Sequence, residues 1–292
     1  MTARVYRLSV APKTAQLLDL LELETIEENI FRGVSLDETR RRVFGGQVAA
    51  QALVAAGRTV DERRVHSLHA YFLRPGDPHR PILYEVERIR EGRSFTARWV
   101  IGIQRGKPIL GLMCSFHRDE VGLTHGDRIP DVPGPGELPT LAQALAARGQ
   151  EPSSVFANTY GLDVRFVTEY PWERDGSPSE REQLWLRATG PVSDDPLIHA
   201  AILTFASDLT LVDTILQRHG STPFDEHFVG ASLDHSLWFH RPFRVDEWLF
   251  YDQTSPVAFG ARGLARGLLY NEEGHLVASA AQEGLVRLKA AQ

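Results

Sequence analysis

An internal repeat is the feature that most restricts how this chain can fold. The step Phe72-Leu73-Arg74-Pro75 recurs as Phe239-His240-Arg241-Pro242, each time after an apolar run that is rich in aromatic residues. The two prolines lie 167 residues apart (242 − 75). Later landmarks keep this spacing or exceed it by one residue: Tyr84 and Tyr251, Arg98 and Arg266, Gly106 and Gly274. Such a shared spacing predicts two copies of one supersecondary unit, and so a pseudo-dimer within a single chain.

The length of the chain agrees with two domains. At 292 residues it can form two hydrophobic cores of ordinary size. Residues 128–139, between the two copies, are rich in Pro and Gly and have the composition of a linker. We therefore predict an N-terminal domain over residues 1–120, a linker over residues 121–158 and a C-terminal domain over residues 159–292.

The charge of the chain excludes a general attraction to nucleic acid or to an anionic membrane. Lys and Arg number 32 against 38 Asp and Glu, which gives a net charge of −6, so an anionic ligand must be held by local cations. Cys114 is the single cysteine, which excludes an internal disulfide and fits a reducing compartment. The N-terminus lacks a signal-peptide pattern, and no apolar run approaches the roughly 20 residues of a spanning helix. The sequence predicts a soluble cytoplasmic protein without membrane insertion.

Residue periodicity predicts a sheet around a helix in the first copy. Residues 95–104 alternate between an apolar face that includes Trp99 and a second face that includes Arg98, as in a half-buried strand. Neighbouring strands are predicted at residues 82–87 and 110–116. Gly45-Gly46 opens an Ala-rich segment that is apolar over most of its circumference, as a helix enclosed by other structure is. We expect an antiparallel sheet that wraps this helix.

The second copy repeats this pattern with a longer helical signal. From Ile198 to Leu216 the apolar residues recur every three or four positions, after a plausible cap and first position at Asp195-Pro196. The spacing fits one helix or two in sequence. Strands are predicted at residues 233–239, 247–251, 261–269 and 275–287.

Common catalytic and metal-binding motifs are absent from the sequence. It has no Gly-x-Ser-x-Gly elbow, no phosphate-binding Gly-x-x-x-x-Gly-Lys segment, no paired Cys and no His-Glu-x-x-His. His66 with His69 and His235 with His240 have loose spacings on predicted strands, which favours packing or hydrogen bonding over metal ligation. We therefore predict neither a metal nor a cofactor.

Comparison of the two copies selects polar residues that the fold itself does not require. At a spacing of 167, Ser232 matches Val65, and at a spacing of 168, Gln282 matches Cys114. Gln282 lies on a predicted strand among small residues, where a buried amide needs hydrogen-bonding partners. Asp208 interrupts an otherwise apolar helical segment, although Asp is a poor residue in a helix interior. An N-cap at a helix break, or a solvated position, is the alternative interpretation of Asp208.

Several long motifs resemble those of one family. They are Val43-Phe44-Gly45-Gly46-Gln47, His66-Ser67-Leu68-His69-Ala70-Tyr71-Phe72-Leu73-Arg74-Pro75-Gly76-Asp77, Leu233-Asp234-His235-Ser236-Leu237-Trp238-Phe239-His240-Arg241-Pro242 and Gln282-Glu283-Gly284. Over nearly its whole length the chain resembles the acyl-CoA thioesterase II family, the TesB-like double-hotdog thioesterases. The resemblance implies an α+β fold of two tandem hotdog domains, each an antiparallel sheet wrapped around a central helix. It also implies an acyl-CoA substrate and association into a homo-oligomer, either a dimer or a tetramer.

The family's catalytic triad of Asp, Thr or Ser, and Gln carries over onto Asp208, Ser232 and Gln282. The resemblance then implies hydrolysis of a fatty acyl-CoA by a water that Asp208 activates and that the other two residues hold. Gly45 and Gly46, ahead of the first-copy helix, permit close backbone approach to the substrate carbonyl, where the free N–H groups of a helix N-terminus stabilise negative charge. Tight packing of the helix on the sheet explains these glycines equally well.

Three alternatives remain open on the sequence. Ser232 is a possible covalent nucleophile, although no His partner is evident. The fold also serves acyl-CoA binding proteins and hydroxyacyl dehydratases, and fold alone does not choose among these functions. A dehydratase needs a His with a carboxylate; His66, which matches Leu233 in the second copy, is the candidate and is also a possible part of the substrate wall. The arginines near the repeated segments recur in both copies, which favours structural roles over contacts with CoA.

Overall fold

The computed structural model describes residues 13–35, 42–149, 160–222, 225 and 227–289. The helices are α1 (Lys13–Leu21), α2 (Gly45–Gly57), α3 (Leu141–Ala146), α4 (Pro196–Ser207) and α5 (Asp213–Gln217). The strands are β1 (Glu24–Glu27), β2 (Ile30–Gly33), β3 (Arg64–Phe72), β4 (Ile82–Glu91), β5 (Phe95–Gln104), β6 (Lys107–His117), β7 (Leu162–Phe166), β8 (Arg181–Ala188), β9 (Phe228–Ser232), β10 (Asp234–Phe239), β11 (Leu249–Phe259), β12 (Arg262–Asn271) and β13 (Leu276–Leu288).

The strands form one antiparallel sheet in which the two copies of the repeat lie side by side. Its order is β1-β2-β4-β5-β6-β3-β10-β13-β12-β11-β8-β7, and β9 pairs with β13 beyond the end of β10. The copies join where β3 pairs with β10, with Leu68 opposite Leu237. Because the sheet runs without interruption across this seam, the division at residues 1–120, 121–158 and 159–292 stays a prediction. The predicted linker contains α3. Arg128, also within the linker, forms an isolated antiparallel β-bridge through its backbone with His275.

Helices α2 and α4 form the centre of the core and run in opposite directions. The N-terminus of α2 meets the C-terminus of α4 at Gly46 and Asp208, and the other two ends meet at Gly57 and Leu197. Every residue of α2 from Gly46 to Ala56 is buried, as predicted for an Ala-rich helix enclosed by other structure. Its small side chains allow the helices and the sheet to approach closely. This arrangement confirms the predicted double hotdog fold.

Strand β5 buries the face that carries the polar residues. Thr96, Arg98 and Gln104 point into the core, whereas Phe95 and Trp99 on the apolar face are partly exposed. Arg98 is only 1% exposed, and its guanidinium donates hydrogen bonds to the side-chain and backbone oxygens of Thr59. A buried guanidinium is tolerated when its donors have acceptors.

The strand register corrects one match between the copies. Tyr84 is opposite Gly102 and Tyr251 is opposite Leu269, so β5 corresponds to β12 at a spacing of 167. The counterpart of Arg98 is therefore Ala265, and the predicted match with Arg266 is wrong by one residue. A slip of one residue moves a side chain to the other face, which is why Arg98 is buried and Arg266 is exposed. The same register supports the match of Cys114 with Gln282, because Arg98 lies opposite Cys114 and Ala265 opposite Gln282.

The long helical signal of the second copy corresponds to two helices. Helix α4 begins at Pro196, and the Asp195 side chain caps it by accepting a hydrogen bond from the Leu197 N–H at 2.9 Å, as predicted. Helix α5 follows after a turn, and Asp208 is the C-cap of α4 rather than the N-cap of a new helix. In the parts of the chain that the structure describes, no helix has the length and apolar character needed to cross a membrane.

Candidate active site

A buried carboxylate at the end of α4 gathers three of the residues selected from the sequence. Asp208 is 7% exposed, and its Oδ2 accepts a hydrogen bond from the Gly46 N–H at 2.6 Å. Its Oδ1 accepts from the Gln282 amide and, at 3.4 Å, from the Ser232 hydroxyl. The structure thus brings Asp208, Ser232 and Gln282 together around one carboxyl group.

Two neighbouring strands place the hydroxyl and the amide beside that carboxylate. Ser232 is the last residue of β9 and lies opposite Gly284 of β13. Gln282 lies two residues earlier on β13, opposite Ala265 of β12, and is fully buried. Residues two apart on a strand share a face, and the small Ala265 and Gly284 leave room on that face for the polar groups.

The first turn of α2 brings backbone N–H groups to the same point. A Cβ atom on Gly45 would lie 2.8 Å from Asp208 Oδ2 and 2.9 Å from Phe72 Cζ. A Cβ on Gly46 would lie 2.7 Å from the carbonyl oxygen of Phe205. Both glycines are therefore required by the close approach of α2 to the carboxylate and to α4. The positive end of the α2 dipole also stabilises the Asp208 charge.

His66 lies away from this group. It is on β3, where its Nε2 hydrogen-bonds with Ser115 Oγ at 2.8 Å and its ring makes edge contacts with Phe95 and His117. Burial, and to a lesser extent the neighbouring His117, lowers the pKa of His66. None of its described hydrogen bonds reaches Asp208, Ser232 or Gln282.

His235 lies next to the site. The sequence predicted only a packing or hydrogen-bonding role for this residue. It is fully buried, and its Nε2 hydrogen-bonds with Ser207 Oγ at 2.8 Å, one residue before Asp208. Burial lowers the pKa of His235 to about 4, and the neighbouring Gln282 side chain opposes this change in part. The imidazole is therefore neutral at pH 7. Comparison of the two copies could have selected His235 from the sequence, because the apolar Leu68 occupies the matching position in the first copy.

The chemistry available at the site is that of a positioned water. A carboxylate, an amide and a hydroxyl can together bind and deprotonate a water molecule, and the first turn of a helix can stabilise an oxyanion. Within the described ranges, no group of three or more His, Cys, Asp or Glu side chains is arranged to hold a metal ion.

Comparisons with known proteins agree across both copies. A family model described as "Acyl-CoA thioesterase" matches residues 156–285, and one described as "Acyl-CoA thioesterase N-terminal domain" matches residues 36–117. Acyl-CoA thioesterase 2 of Haemophilus influenzae is 40% identical over 279 residues, which cover 93% of this chain and 96% of that protein. Human acyl-coenzyme A thioesterase 8 is 37% identical over 283 residues, covering 92% of this chain and 88% of that protein.

Solved structures give the same result. The crystal structure of acyl-CoA thioesterase II TesB2 from Mycobacterium marinum superposes with a TM-score of 0.78 at 39% identity, covering 94% of this chain and 98% of that chain. Relatedness at this level over nearly the full length of both proteins extends to the fold and to the class of reaction. The chain belongs to the acyl-CoA thioesterase II family and is a thioester hydrolase.

Proposed function

We propose that this protein hydrolyses fatty acyl-CoA to a free fatty acid and CoA, with Asp208, Ser232 and Gln282 as its catalytic residues. The observation that carries the proposal is the convergence of the Gln282 amide, the Ser232 hydroxyl and the Gly46 N–H on the Asp208 carboxylate. The family relationship supports the substrate class, because the relatives are acyl-CoA thioesterases.

In the proposed reaction, a water molecule held by Gln282 and Ser232 attacks the thioester carbonyl carbon. Asp208 accepts the proton of that water, and negative charge develops on the carbonyl oxygen. The positive end of the α2 dipole favours this charge. Cleavage of the C–S bond then releases the CoA thiolate, which takes up the proton. General base help of this kind is worth about 10²–10⁴-fold in rate.

Release of free thiol from acyl-CoA tests the assignment directly. We expect Asp208→Asn to lower kcat by about 10²–10⁴-fold, because a neutral amide cannot accept the proton. Gln282→Ala should have a large effect, Ser232→Ala a smaller one of about tenfold, and Ser232→Thr little effect, since Thr keeps the hydroxyl. Cys114→Ala, at the position that matches Gln282, is the control and should keep activity. Full activity in the Asp208, Ser232 and Gln282 variants would exclude this triad.

Three measurements separate the alternatives. Tight binding of acyl-CoA without thiol release would identify a binding protein, and loss of activity in His66→Ala but not in Asp208→Asn would favour a dehydratase. Intact-mass spectrometry of a quenched reaction tests whether Ser232 becomes acylated. We expect no adduct, because the described partner of the Ser232 hydroxyl is the Asp208 carboxylate at 3.4 Å and not an imidazole. A panel from short to long acyl-CoA substrates would define the chain-length preference.

We also propose that the chain forms a homo-oligomer through the outer face of the sheet near the seam. Tyr71 and Leu73 of the first copy and Trp238 of the second are 62%, 51% and 37% exposed. Exposed apolar side chains that cluster on a sheet face are typical of an interface. Light scattering should give a dimer or tetramer for the native chain and a smaller species for Tyr71→Asp; a native monomer would contradict the proposal. A cytoplasmic location remains a prediction, based on the single cysteine.

A further inference from the structure

A cavity lies at the end of the helix pair opposite to Asp208. Its volume is about 590 Å³, within the range of small-molecule sites. Gly57 at the C-terminus of α2 and Leu197 in the first turn of α4 line it, just as the other ends of these helices meet at Gly46 and Asp208. The cavity therefore occupies the position in the repeat that corresponds to the candidate active site.

The residues that line the cavity confirm this correspondence. Val65 lines it and is the counterpart of Ser232, and Phe116 lines it and is the counterpart of Gly284. These two residues lie opposite each other on β3 and β6, as Ser232 and Gly284 do on β9 and β13. The hydroxyl of the candidate triad is thus replaced by an apolar side chain, and its amide by the Cys114 thiol. The cavity therefore lies where the first copy would have its own active site, but it lacks the hydroxyl and amide groups proposed for hydrolysis.

Charges at the cavity favour an anionic ligand. Five arginines line it against three aspartates: Arg58, Arg63, Arg64, Arg241 and Arg244 against Asp119, Asp194 and Asp195. Ion pairs join Arg58 to Glu22, Arg64 to Asp119 and Arg244 to Asp194.

Two guanidiniums remain without a carboxylate partner among the described residues. Arg63 donates to the carbonyl oxygens of Asp61, Gly92 and Arg93, and Arg241 donates to the carbonyl oxygen of His125 at 3.4 Å. In a chain with a net charge of −6, two such cations at one cavity favour local binding of phosphate, which guanidinium binds through paired hydrogen bonds.

The remaining walls combine apolar side chains with histidines. Val60, Leu197, Phe239 and Phe243 line the cavity beside the arginines. Burial lowers the pKa of His66, His199 and His240, which also line it, so these imidazoles are neutral donors or acceptors at pH 7 and leave the charge to the arginines. A ligand that fits these walls combines a phosphate group with a ring or an acyl chain.

We infer that this cavity is a second, non-hydrolytic binding site for a phosphate-bearing ligand with an apolar part, the chemical class to which coenzyme A belongs. The site is separate from the hydrolysis proposed above. Its ligand lies against the C-terminus of α2 and the N-terminus of α4, next to the paired seam strands β3 and β10.

Calorimetric titration of the full chain with coenzyme A tests this inference. We expect Arg241→Glu to bind one equivalent of coenzyme A fewer per chain than the native protein, because charge reversal removes a phosphate contact. Val60→Trp, which fills the cavity without changing charge, should lose the same equivalent. The matched control is Arg88→Glu, an exposed arginine on β4 that pairs with Glu28 outside the cavity. It should bind as the native protein does.

Equal numbers of equivalents in the native protein, Arg241→Glu and Val60→Trp would overturn the inference. Circular dichroism would show that the variants are folded, and Val60→Trp provides a second test that does not depend on charge. Thiol release is measured separately on the same samples. Both cavity variants should retain it, so a chain that failed to hydrolyse acyl-CoA would contradict the proposed function and leave the titration result intact.

Discussion

The C-terminal ends of the two central helices show how one scaffold holds a buried carboxylate in one copy and a buried guanidinium in the other. At the end of α4, Asp208 binds the Gln282 amide, which lies opposite Ala265. At the end of α2, the matching strand positions hold Cys114 and Arg98. The Arg98 guanidinium donates to Thr59, just after the last residue of α2, and forms an ion pair with Glu91.

The difference follows from helix electrostatics. The C-terminus of a helix carries partial negative charge, which favours a cation and disfavours an anion. Arg98 satisfies this preference in the first copy. Asp208 opposes it in the second copy and is held there by the N–H of Gly46, from the N-terminus of the other helix. A carboxylate in such a position is what the catalytic role proposed for Asp208 would require, whereas we expect the buried arginine to serve stability.

Of the changes that test this contrast, Arg98→Met should have the largest effect, a loss in the free energy of unfolding. The change removes hydrogen bonds to Thr59 and leaves Glu91 without its cationic partner. Breaking a buried ion pair costs about 3–5 kcal/mol, and because Glu91 is half-exposed we expect a loss near 3 kcal/mol in the free energy of unfolding. Urea denaturation measures this loss, while kcat/KM should stay within about twofold of the native value.

Arg266→Met is the control for Arg98→Met, since the landmark spacing pairs these arginines but the strand register does not. Arg266 is exposed, and its substitution should change stability by no more than about 0.5 kcal/mol. Equal losses in the two variants would contradict the register that matches Arg98 with Ala265.

A second prediction concerns the two glycines at opposite ends of α2. Gly45→Ala places a Cβ within 2.8 Å of Asp208 Oδ2, so the carboxylate must move. We expect kcat/KM to fall by about 100-fold, which corresponds to about 3 kcal/mol of transition-state stabilisation. In Gly57→Ala the new Cβ lies 2.4 Å from Leu197 Cδ2, the end of a flexible side chain that can rotate away. Steady-state kinetics of Gly57→Ala should match the native protein; similar losses in both variants would show a general effect on helix packing.

Much of this arrangement could be predicted from the sequence because it depends on patterns that are local or repeated. The repeat gave the two copies, the Ala-rich composition gave the enclosed helix, and the contrast between copies selected Ser232 and Gln282. Asp208 was visible because a carboxylate interrupts an apolar helical pattern.

The remaining features depend on contacts that no local pattern contains. The burial of Arg98 follows from strand register, and matching similar residues missed it by one position. Strands β1, β2, β7, β8 and β9 were not predicted. Of these, β8 and β9 pair with strands distant in sequence, β11 and β13. The Gly46 hydrogen bond to Asp208 joins residues 162 positions apart, and only the packing of α2 on α4 creates it.

The smallest expected effect concerns a position where the copies differ in polarity but not in burial. His235 and its counterpart Leu68 are both fully buried. Since burial lowers the pKa of His235 to about 4, whereas an unfolded His titrates near 6.5, the unfolded chain binds more protons between these values. This histidine therefore leaves stability unchanged above pH 6.5 and lowers it as the pH falls from 6.5 toward 4, by about 1.4 kcal/mol per pH unit.

His235→Leu makes the second copy resemble the first and should remove this part of the acid sensitivity. We expect the loss of stability between pH 7 and pH 5, measured by urea denaturation, to be smaller in the variant by about 2 kcal/mol. His219→Asn, an exposed histidine outside the site, serves as the control and should follow the native curve. An unchanged slope in His235→Leu would mean that this imidazole is charged in the folded protein. A charged imidazole beside Ser207 would place a positive charge near Asp208 at the end of α4. The end of α4 would then hold a cation, as the end of α2 does with Arg98, so the measurement also tests the contrast between the two helix ends.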